Sequence, residues 1–209
     1  MRIDGPDDVR ILPGVAQKNA ARPDVMRGEE TQILGAIEPG FTGHVCIPGT
    51  HSKWIRIEGG TIAEFTTFMT GELFATVAAQ TILAHAVDID SGPAQPGAPF
   101  RESLAAAAAE PAELPAALFR LRAAQLLGYE RRGDGAARLS GLLIGTEIAT
   151  AAKRYGNKEP LRLIAAGGLG ALYDDALRHA GFAVTMTDSE NASRQGLYRA
   201  AAAIWKKHF

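Results

Sequence analysis

Three consecutive segments with alternating apolar and polar residues constrain the fold of this chain more than any other feature. They read H-V-C-I-P (44–48), S-K-W-I-R-I-E (52–58) and T-I-A-E-F-T-T-F (61–68), and P-G-T-H and G-G separate them. A period of two is typical of strands, and Pro-Gly or Gly-Gly pairs between such runs are typical of tight connections. The sequence therefore predicts a three-stranded antiparallel meander.

Helical and strand patterns flank the meander on its N-terminal side. V-R-I-L-P-G (9–14) predicts a strand that ends at the Pro-Gly pair. In the segment that follows, Val25, Ile33 and Ile37 have the spacing of one helical face, and Pro39-Gly40 stops that helix. One strand and one helix are therefore expected before the meander.

The C-terminal side alternates in the same way. Thr70 is predicted to cap a helix that runs to about His85, and residues 90–99 are predicted to form a linker. Helices follow, the last of them with a break expected at Gly145. The remaining segments predict a strand at 161–166, the turn G-G-L-G, a helix, a strand at 182–187 and a final helix to Trp205. This order is that of an α/β protein.

Composition excludes several classes of protein. The chain has 209 residues, 46% of them hydrophobic, and a net charge of −1, so it is long enough for a sizeable core and has no basic surface for nucleic acid or an anionic membrane. No apolar run approaches the about 20 residues of a membrane span, and the N-terminus has no apolar signal core. The single cysteine, Cys46, excludes an internal disulfide and is expected in the core. We expect a cytoplasmic protein with no nucleic-acid or membrane partner.

The turn between the first two strands is a candidate anion site. Gly49 lets a ligand approach the backbone, Thr50 and Ser52 add hydroxyls, and His51 and Lys53 can add positive charge. Backbone N–H groups in such a turn form an anion-binding nest. The alternative is an ordinary hairpin with no ligand.

The glycine-rich segment G-G-L-G (167–170) follows an apolar strand and opens a helix, a position that often holds a nucleotide. A dinucleotide site is one alternative, because Asp188 lies twenty residues beyond Gly168. However, Tyr173 stands where that motif requires a third glycine for close helix packing. A tight turn without a ligand is the other alternative.

Two adjacent carboxylates, Glu29 and Glu30, follow Gly28 at the start of the first predicted helix. The helix dipole favours their ionised form there, and such a group can accept a hydroxyl proton or hold magnesium through water. Acidic residues in a first helical turn are also common simply as caps.

Four motifs in order give the chain a specific resemblance. P-D-V-M-R-G-E-E-T-Q (23–32), I-P-G-T-H-S-K-W-I (47–55), F-M-T-G-E-L-F (68–74) and A-A-G-G-L-G-A-L-Y (165–173) are similar to the 2-dehydro-3-deoxygalactonokinase family. That family belongs to the acetate and sugar kinase, chaperone and actin superfamily. The resemblance implies a ribonuclease-H-like α/β fold, ATP and Mg²⁺ as cofactors, and phosphate transfer to the 6-hydroxyl of a small sugar acid, 2-dehydro-3-deoxygalactonate.

The resemblance also implies roles for individual residues. Those expected to cradle the ATP phosphates are Gly49, Thr50, His51 and Ser52. Those expected to flank adenine and ribose are Gly167, Gly168 and Gly170. Glu29 becomes the candidate base, with Glu30 the alternative or a ligand of magnesium-bound water, and no residue is assigned as a direct metal ligand. Arg27 is the candidate for the substrate carboxylate, since its planar guanidinium suits that group.

The chain departs from the family pattern at its start. Family members begin with a strand, an Asp-Trp-Gly-Thr type of turn and a second strand, and no such segment occurs in these 209 residues. We expect residues 1–40 to be the remnant of a first domain with an interdomain helix, and residues 41–209 to be the nucleotide-binding domain with a helical insertion at about 100–155. The alternative function is a non-catalytic, nucleotide-binding or oligomerising remnant. Uncovered residues of the Val25–Ile37 stripe, and Trp54, would then favour a homo-oligomer.

Overall fold

A computed structural model describes residues 2–3, 8–88 and 94–205. Nine strands are present in those ranges: β1 (Arg2–Ile3), β2 (Val9–Arg10), β3 (Val15–Gln17), β4 (Asp24–Met26), β5 (Gly43–Ile47), β6 (Ser52–Glu58), β7 (Thr61–Phe68), β8 (Leu161–Ile164) and β9 (Val184–Thr187). The same ranges contain seven α-helices: α1 (Glu29–Ala36), α2 (Thr70–Gln80), α3 (Ala98–Ala109), α4 (Leu114–Leu126), α5 (Gly135–Tyr155), α6 (Gly167–His179) and α7 (Ser189–Trp205). Short 3₁₀ helices cover Ile82–His85, Pro111–Glu113 and Arg132–Asp134.

A mixed five-stranded sheet organises the molecule, in the order β7-β6-β5-β8-β9. The first three strands are antiparallel, with Cys46 opposite Trp54, which confirms the predicted meander. The strands β5, β8 and β9 are parallel. Because parallel strands end at the same edge, the turn after β5 and the start of α6 after β8 lie side by side.

Helices cover both faces of this sheet, and strand periodicity divides the core between them. Cys46 and Trp54 face a cluster that includes residues of α3, α5 and α6. Val45 and Ile55 face the opposite cluster, which includes Ile33 of α1 and a residue of α7. Two smaller antiparallel pairs, β1-β2 and β3-β4, precede the sheet. The α/β architecture with a mixed sheet and flanking helices is thus as the sequence predicts.

Pairs of helices approach each other very closely where a glycine of one helix faces the backbone of the other. A Cβ built at Gly35 of α1 would lie 1.9 Å from the carbonyl oxygen of Ala192, and one at Gly196 of α7 would lie 1.8 Å from that of Thr31. Gly145 plays the same part between α5 and α3, with a Cβ 2.6 Å from the carbonyl oxygen of Leu104. The break predicted at Gly145 is therefore wrong: α5 is continuous, and the glycine allows α3 to approach.

The predicted start of the first helix is also wrong. Val25 lies in strand β4 with 69% of its surface exposed, and the helix begins only at Glu29. The reason is Gly28, whose φ of 108° is not helical and is rarely adopted by residues with a side chain. Ile33 and Ile37 are buried, and Trp54 is fully buried, so the predicted uncovering of these three residues is wrong.

Other elements differ at their ends. The strand predicted at residues 9–14 is only β2, and α2 stops at Gln80, before a 3₁₀ turn that contains His85. Thr70 is the first residue of α2 rather than its cap. Part of the predicted linker at 90–99 lies outside the described residues, and its last two residues begin α3. No helix in the described part of the chain is long and apolar enough to cross a membrane.

Substitution of Gly196 by Ala tests the α1–α7 crossing. The added methyl would meet the carbonyl oxygen of Thr31 within 1.8 Å, so the helices must separate. We expect a loss in the free energy of unfolding of about 3 kcal/mol, the upper end for overpacked sites, measured by urea denaturation. Gly133→Ala is the matched control, because a Cβ there meets nothing within 4 Å. Equal stability of the two variants would contradict the close crossing.

Candidate active site

The turn that joins β5 to β6, residues 48–51, is held from two sides. On one side, the start of α2 packs against it: the amide of Glu72 donates to the carbonyl of Thr50 at 3.0 Å, and a Cβ at Gly71 would lie 2.4 Å from the carbonyl oxygen of Gly49. On the other side, Lys53 Nζ donates to the carbonyl of His51 at 2.9 Å. The turn therefore has a fixed position relative to α2 and β6.

Two cavities open on this turn. The first, of about 750 Å³, lies between the turn, α2, α5 and α6, and its lining is mostly apolar. The second, of about 630 Å³, lies between the turn, α1, α6 and α7. Three residues, Gly49, Thr50 and Leu169, line both cavities. The two cavities therefore adjoin each other at the turn.

Four helices begin at these cavities. Gly71 of α2 and Gly168 of α6 line the first, while Glu29 of α1 and Ser189 of α7 line the second. The first N–H groups of a helix have no partner within the helix, and the helix dipole adds partial positive charge at that end. The walls therefore favour anionic ligands, phosphate groups in particular.

The candidate acid–base carboxylates differ in what they contact. Glu29 lines the second cavity; its Oε2 accepts from the amide of Arg27 at 3.0 Å, and its Oε1 lies 3.1 Å from Lys53 Nζ. The Lys53 side chain is only 5% exposed. Glu30 Oε2 instead accepts from the amide of Gly28 at 2.7 Å, and Glu30 is not among the residues that line either cavity.

Three of the four residues predicted to cradle the phosphates line the cavities: Gly49 and Thr50 line both, and His51 lines the second. Gly168, predicted beside adenine and ribose, lines the first, and Arg27, predicted for the substrate carboxylate, lines the second. His51 Nε2 lies 2.5 Å from a carboxylate oxygen of Glu72, a contact across the turn to α2.

Ser52 differs from its neighbours, since it is completely buried and its hydroxyl lies 2.9 Å from that of Tyr173. Ser52 is not among the residues that line either cavity, although Tyr173 lines the first.

The first and last glycines of G-G-L-G, Gly167 and Gly170, shape the backbone at the start of α6. Gly167 has a φ of 61° and begins α6, and a Cβ at Gly170 would lie 3.2 Å from that of Ala165, at the end of β8. Neither lines the two cavities. Asp188, the acid that a dinucleotide site would use, accepts from the amide of Asn191 at 2.8 Å and so caps α7.

A known family of proteins matches almost the whole chain. A model of the 2-keto-3-deoxy-galactonokinase family matches residues 2–200. The chain belongs to this family.

Relatives of the galactonokinase family are similar over nearly the whole chain. A protein of Rhizobium meliloti (strain 1021) named as the 2-dehydro-3-deoxygalactonokinase DgoK1 is 48% identical over 200 residues, and the 2-dehydro-3-deoxygalactonokinase of Escherichia coli (strain K12) is 32% identical over 198. These matches cover 95% of this chain but only 65% and 66% of the two relatives. The chain thus spans slightly less than two thirds of their length.

A crystal structure from Sinorhizobium meliloti, named for the same galactonokinase, matches with a TM-score of 0.92 and 45% identity. The match covers 98% of this chain and 69% of that one.

Sequence reasoning missed several residues that line the cavities of this galactonokinase-family chain. In the first cavity they are Phe74, Ser140, Leu143, Ile144 and Leu172. In the second they are Gln32, Ser189 and Ser193. The apolar ones had no signal, because a helical apolar stripe looks the same whether it faces a core or a cavity. Lys53, predicted from the sequence as a possible positive charge at the turn, lines neither cavity and instead pairs with Glu29.

Substitution of Gly71 by Ala tests how α2 holds the turn. The methyl would meet backbone atoms of Gly49 and Thr50 at 2.4 and 2.8 Å, so either the turn or α2 must move. We expect a stability loss of about 1–3 kcal/mol and faster hydrogen exchange at the amide of Glu72. Gly97→Ala, near the start of α3, is the control because its Cβ has room. An unchanged exchange rate at the amide of Glu72 would contradict the role of α2 in holding the turn.

Proposed function

We propose that this protein acts as an ATP-dependent sugar-acid kinase, which transfers the γ-phosphate to the 6-hydroxyl of 2-dehydro-3-deoxygalactonate. We also propose that its sheet and helices form a ribonuclease-H-like nucleotide-binding fold. The observation that carries the proposal is the turn around Thr50, which an apolar cavity and a carboxylate-bearing cavity share. The names of the relatives supply the substrate, and ATP is the phosphate donor implied by a kinase.

The first cavity suits adenosine. Its walls are the apolar side chains of Phe74, Leu143, Ile144 and Leu172, which can cover a purine, with Ser140 as a polar group. Gly168 lies at the N-terminus of α6, where a ribose or phosphate is readily bound. We propose that the phosphates then extend over Gly49 and Thr50 into the second cavity.

The second cavity suits the sugar acid and the proton transfer. In the proposed step, a Glu29 oxygen takes the proton of the 6-hydroxyl as the hydroxyl oxygen attacks the γ-phosphorus. The bond from the γ-phosphorus to the bridging oxygen breaks and ADP leaves. The guanidinium of Arg27, in the same cavity, would pair with the substrate carboxylate.

Magnesium enters this scheme with the nucleotide, as MgATP. Among the described residues no three His, Cys, Asp or Glu side chains form a cluster that could bind a metal ion. In the proposed scheme the ion is held by phosphate oxygens, water and at most one or two carboxylates, as Mg²⁺ usually is in kinases. Glu30 is the proposed partner for a magnesium-bound water, and Glu29 is the proposed base.

The proposed division of the chain follows the two-domain arrangement of such kinases. Residues 1–40 would correspond to the end of a first domain and the interdomain helix, and residues 41–209 to the nucleotide-binding domain, with a helical insertion at about 100–155. The close packing of α1 against α7 supports a rigid connection between these two parts. Self-association into a homo-oligomer stays a prediction.

Substitution of Gly49 by Ala tests the phosphate site. A Cβ at Gly49 meets no protein atom within 4 Å, so the methyl takes space beside the two cavities without disturbing the fold. We expect the thermal midpoint to be unchanged and the Kd for MgATP, measured by calorimetry, to rise tenfold or more. Unchanged affinity would contradict phosphate binding at this turn.

Substitution of Glu29 by Gln tests the base, in an assay with MgATP and 2-dehydro-3-deoxygalactonate. We expect turnover to fall at least about 100-fold, the usual contribution of a general base, while the Kd for MgATP stays the same. Glu30→Gln is the matched variant, expected to lose less turnover than Glu29→Gln because Glu30 lines neither cavity and its proposed role is limited to a magnesium-bound water. The reverse pattern would assign the base to Glu30. MgATP binding by the wild type without turnover would support the non-catalytic alternative.

A further inference from the structure

A buried carboxylate, Glu147 of α5, lies at the centre of a hydrogen-bond network behind the first cavity. Only 2% of Glu147 is exposed. Its Oε1 accepts from the indole N–H of Trp54 at 2.8 Å. Its Oε2 accepts from the hydroxyl of Tyr173 at 2.7 Å and from that of Thr70. Since the Tyr173 hydroxyl donates to Glu147, it accepts from Ser52.

Three residues of this network belong to elements that form the proposed nucleotide site, and two of them, Thr70 and Tyr173, line the first cavity themselves. Ser52 is the first residue of β6 and directly follows the turn at 48–51. Thr70 begins α2 and precedes Gly71, which packs on that turn. Tyr173 lies in α6, whose first residues line both cavities. One carboxylate, carried by α5, therefore connects three other elements around the first cavity: α2, α6 and the turn at 48–51, which we call the phosphate turn.

Burying a carboxylate at this position is energetically unfavourable. Burial raises the pKa of Glu147, and the hydrogen bonds from Thr70, Trp54, Tyr173 and Ser52 oppose that rise only in part. Apolar residues of similar volume are often at least as stable as a buried charged or polar cluster, so stability alone does not account for it. A positioning role does account for the carboxylate. Glu147 accepts hydrogen bonds from β6, α2 and α6, and so it fixes the relative positions of these three elements.

We infer that Glu147 is a positioning residue for the nucleotide site: through Thr70, Tyr173 and Ser52 it holds α2, α6 and the phosphate turn in the geometry that binds ATP. Glu147 does not itself line either cavity, so it acts through these partners. The inference rests on the proposed function, because it assumes that the first cavity binds a nucleotide.

Two tyrosines give a matched pair of variants. Tyr173→Phe removes a hydroxyl that contacts Glu147 and Ser52, whereas Tyr155→Phe removes one that contacts Thr66 at 2.7 Å, away from both cavities. Each variant loses one hydrogen-bonded tyrosine hydroxyl, of a buried residue at Tyr173 and of a partly buried one at Tyr155. Glu147→Leu and Glu147→Gln complete the set, because the amide oxygen of Gln keeps one acceptor and Leu keeps none.

Calorimetric titration with MgADP, with thermal unfolding of each variant, provides the test. We expect the Kd to rise tenfold or more in Tyr173→Phe and Glu147→Leu, to recover in part in Glu147→Gln, and to stay within twofold of wild type in Tyr155→Phe. If Glu147→Leu fails to fold, Glu147→Gln carries the comparison, because Glu147 lines neither cavity whereas Tyr173 lines the first. We also expect MgADP to shift the indole N–H resonance of Trp54, identified with a Trp205→Phe variant, although Trp54 lines neither cavity.

The possible failures are distinguishable. If folded Tyr173→Phe and Glu147→Leu bind MgADP as wild type does, or if Tyr155→Phe loses as much affinity as Tyr173→Phe, the positioning role is wrong while nucleotide binding stands. If the wild-type protein binds neither MgADP nor MgATP, the proposed function fails and the inference fails with it.

Discussion

The contact between α2 and the turn at 48–51 is the constraint on which the site depends. A turn that binds phosphate through its backbone needs a fixed shape. This turn lies at the end of the strands, where connecting loops are usually mobile. Here Gly71 allows the helix to touch the turn backbone, and the amide of Glu72 donates to the Thr50 carbonyl. The backbone of the turn is thereby fixed before any ligand arrives, which would lower the cost of the proposed binding.

Sheet topology determines what else can reach this turn. Because β5 and β8 are parallel, the turn after β5 and the start of α6 share one edge of the sheet. The glycine contacts between α1 and α7 then bring the start of α7 to the second cavity, where the Gln32 amide donates to the Ser193 hydroxyl at 3.3 Å. The anion-favouring character of the cavities is thus a consequence of strand order and close helix packing, and it needs few charged side chains.

The sequence predicted what local pattern controls and missed what depends on distant contacts. The meander and the turn at Gly49 were predictable because strand periodicity and turn glycines are local signals. The break expected at Gly145 was wrong because a helix glycine can serve either flexibility or close packing, and only the position of α3 decides between them. The helical position of Val25 was wrong because three apolar residues can fit a helical spacing by chance, while Gly28 ends the extended segment.

The candidate site residues follow the same division. Thr50 and Glu29 could be found from motifs, because the motif and the chemistry occupy the same few residues. Ser52 could not be separated from its neighbours, since strand alternation that begins at β6 turns its hydroxyl towards Tyr173 and turns the next residue, Lys53, towards Glu29. The network around Glu147 joins residues 52, 54, 70, 147 and 173, and no local pattern links positions so far apart.

Lys53 explains how the proposed base, Glu29, and the turn at 48–51 keep a constant separation. A buried ammonium is costly unless it is paired, and its partners are the Glu29 carboxylate and the His51 carbonyl. One ammonium therefore bonds to both the base and the turn, and it is carried by β6, which is fixed between two other strands. The position of Glu29 then depends on the sheet as well as on the first turn of α1. A proton acceptor held in this way can stay at hydrogen-bonding distance from a hydroxyl aimed at the γ-phosphate, which is the positioning that phosphoryl transfer requires most.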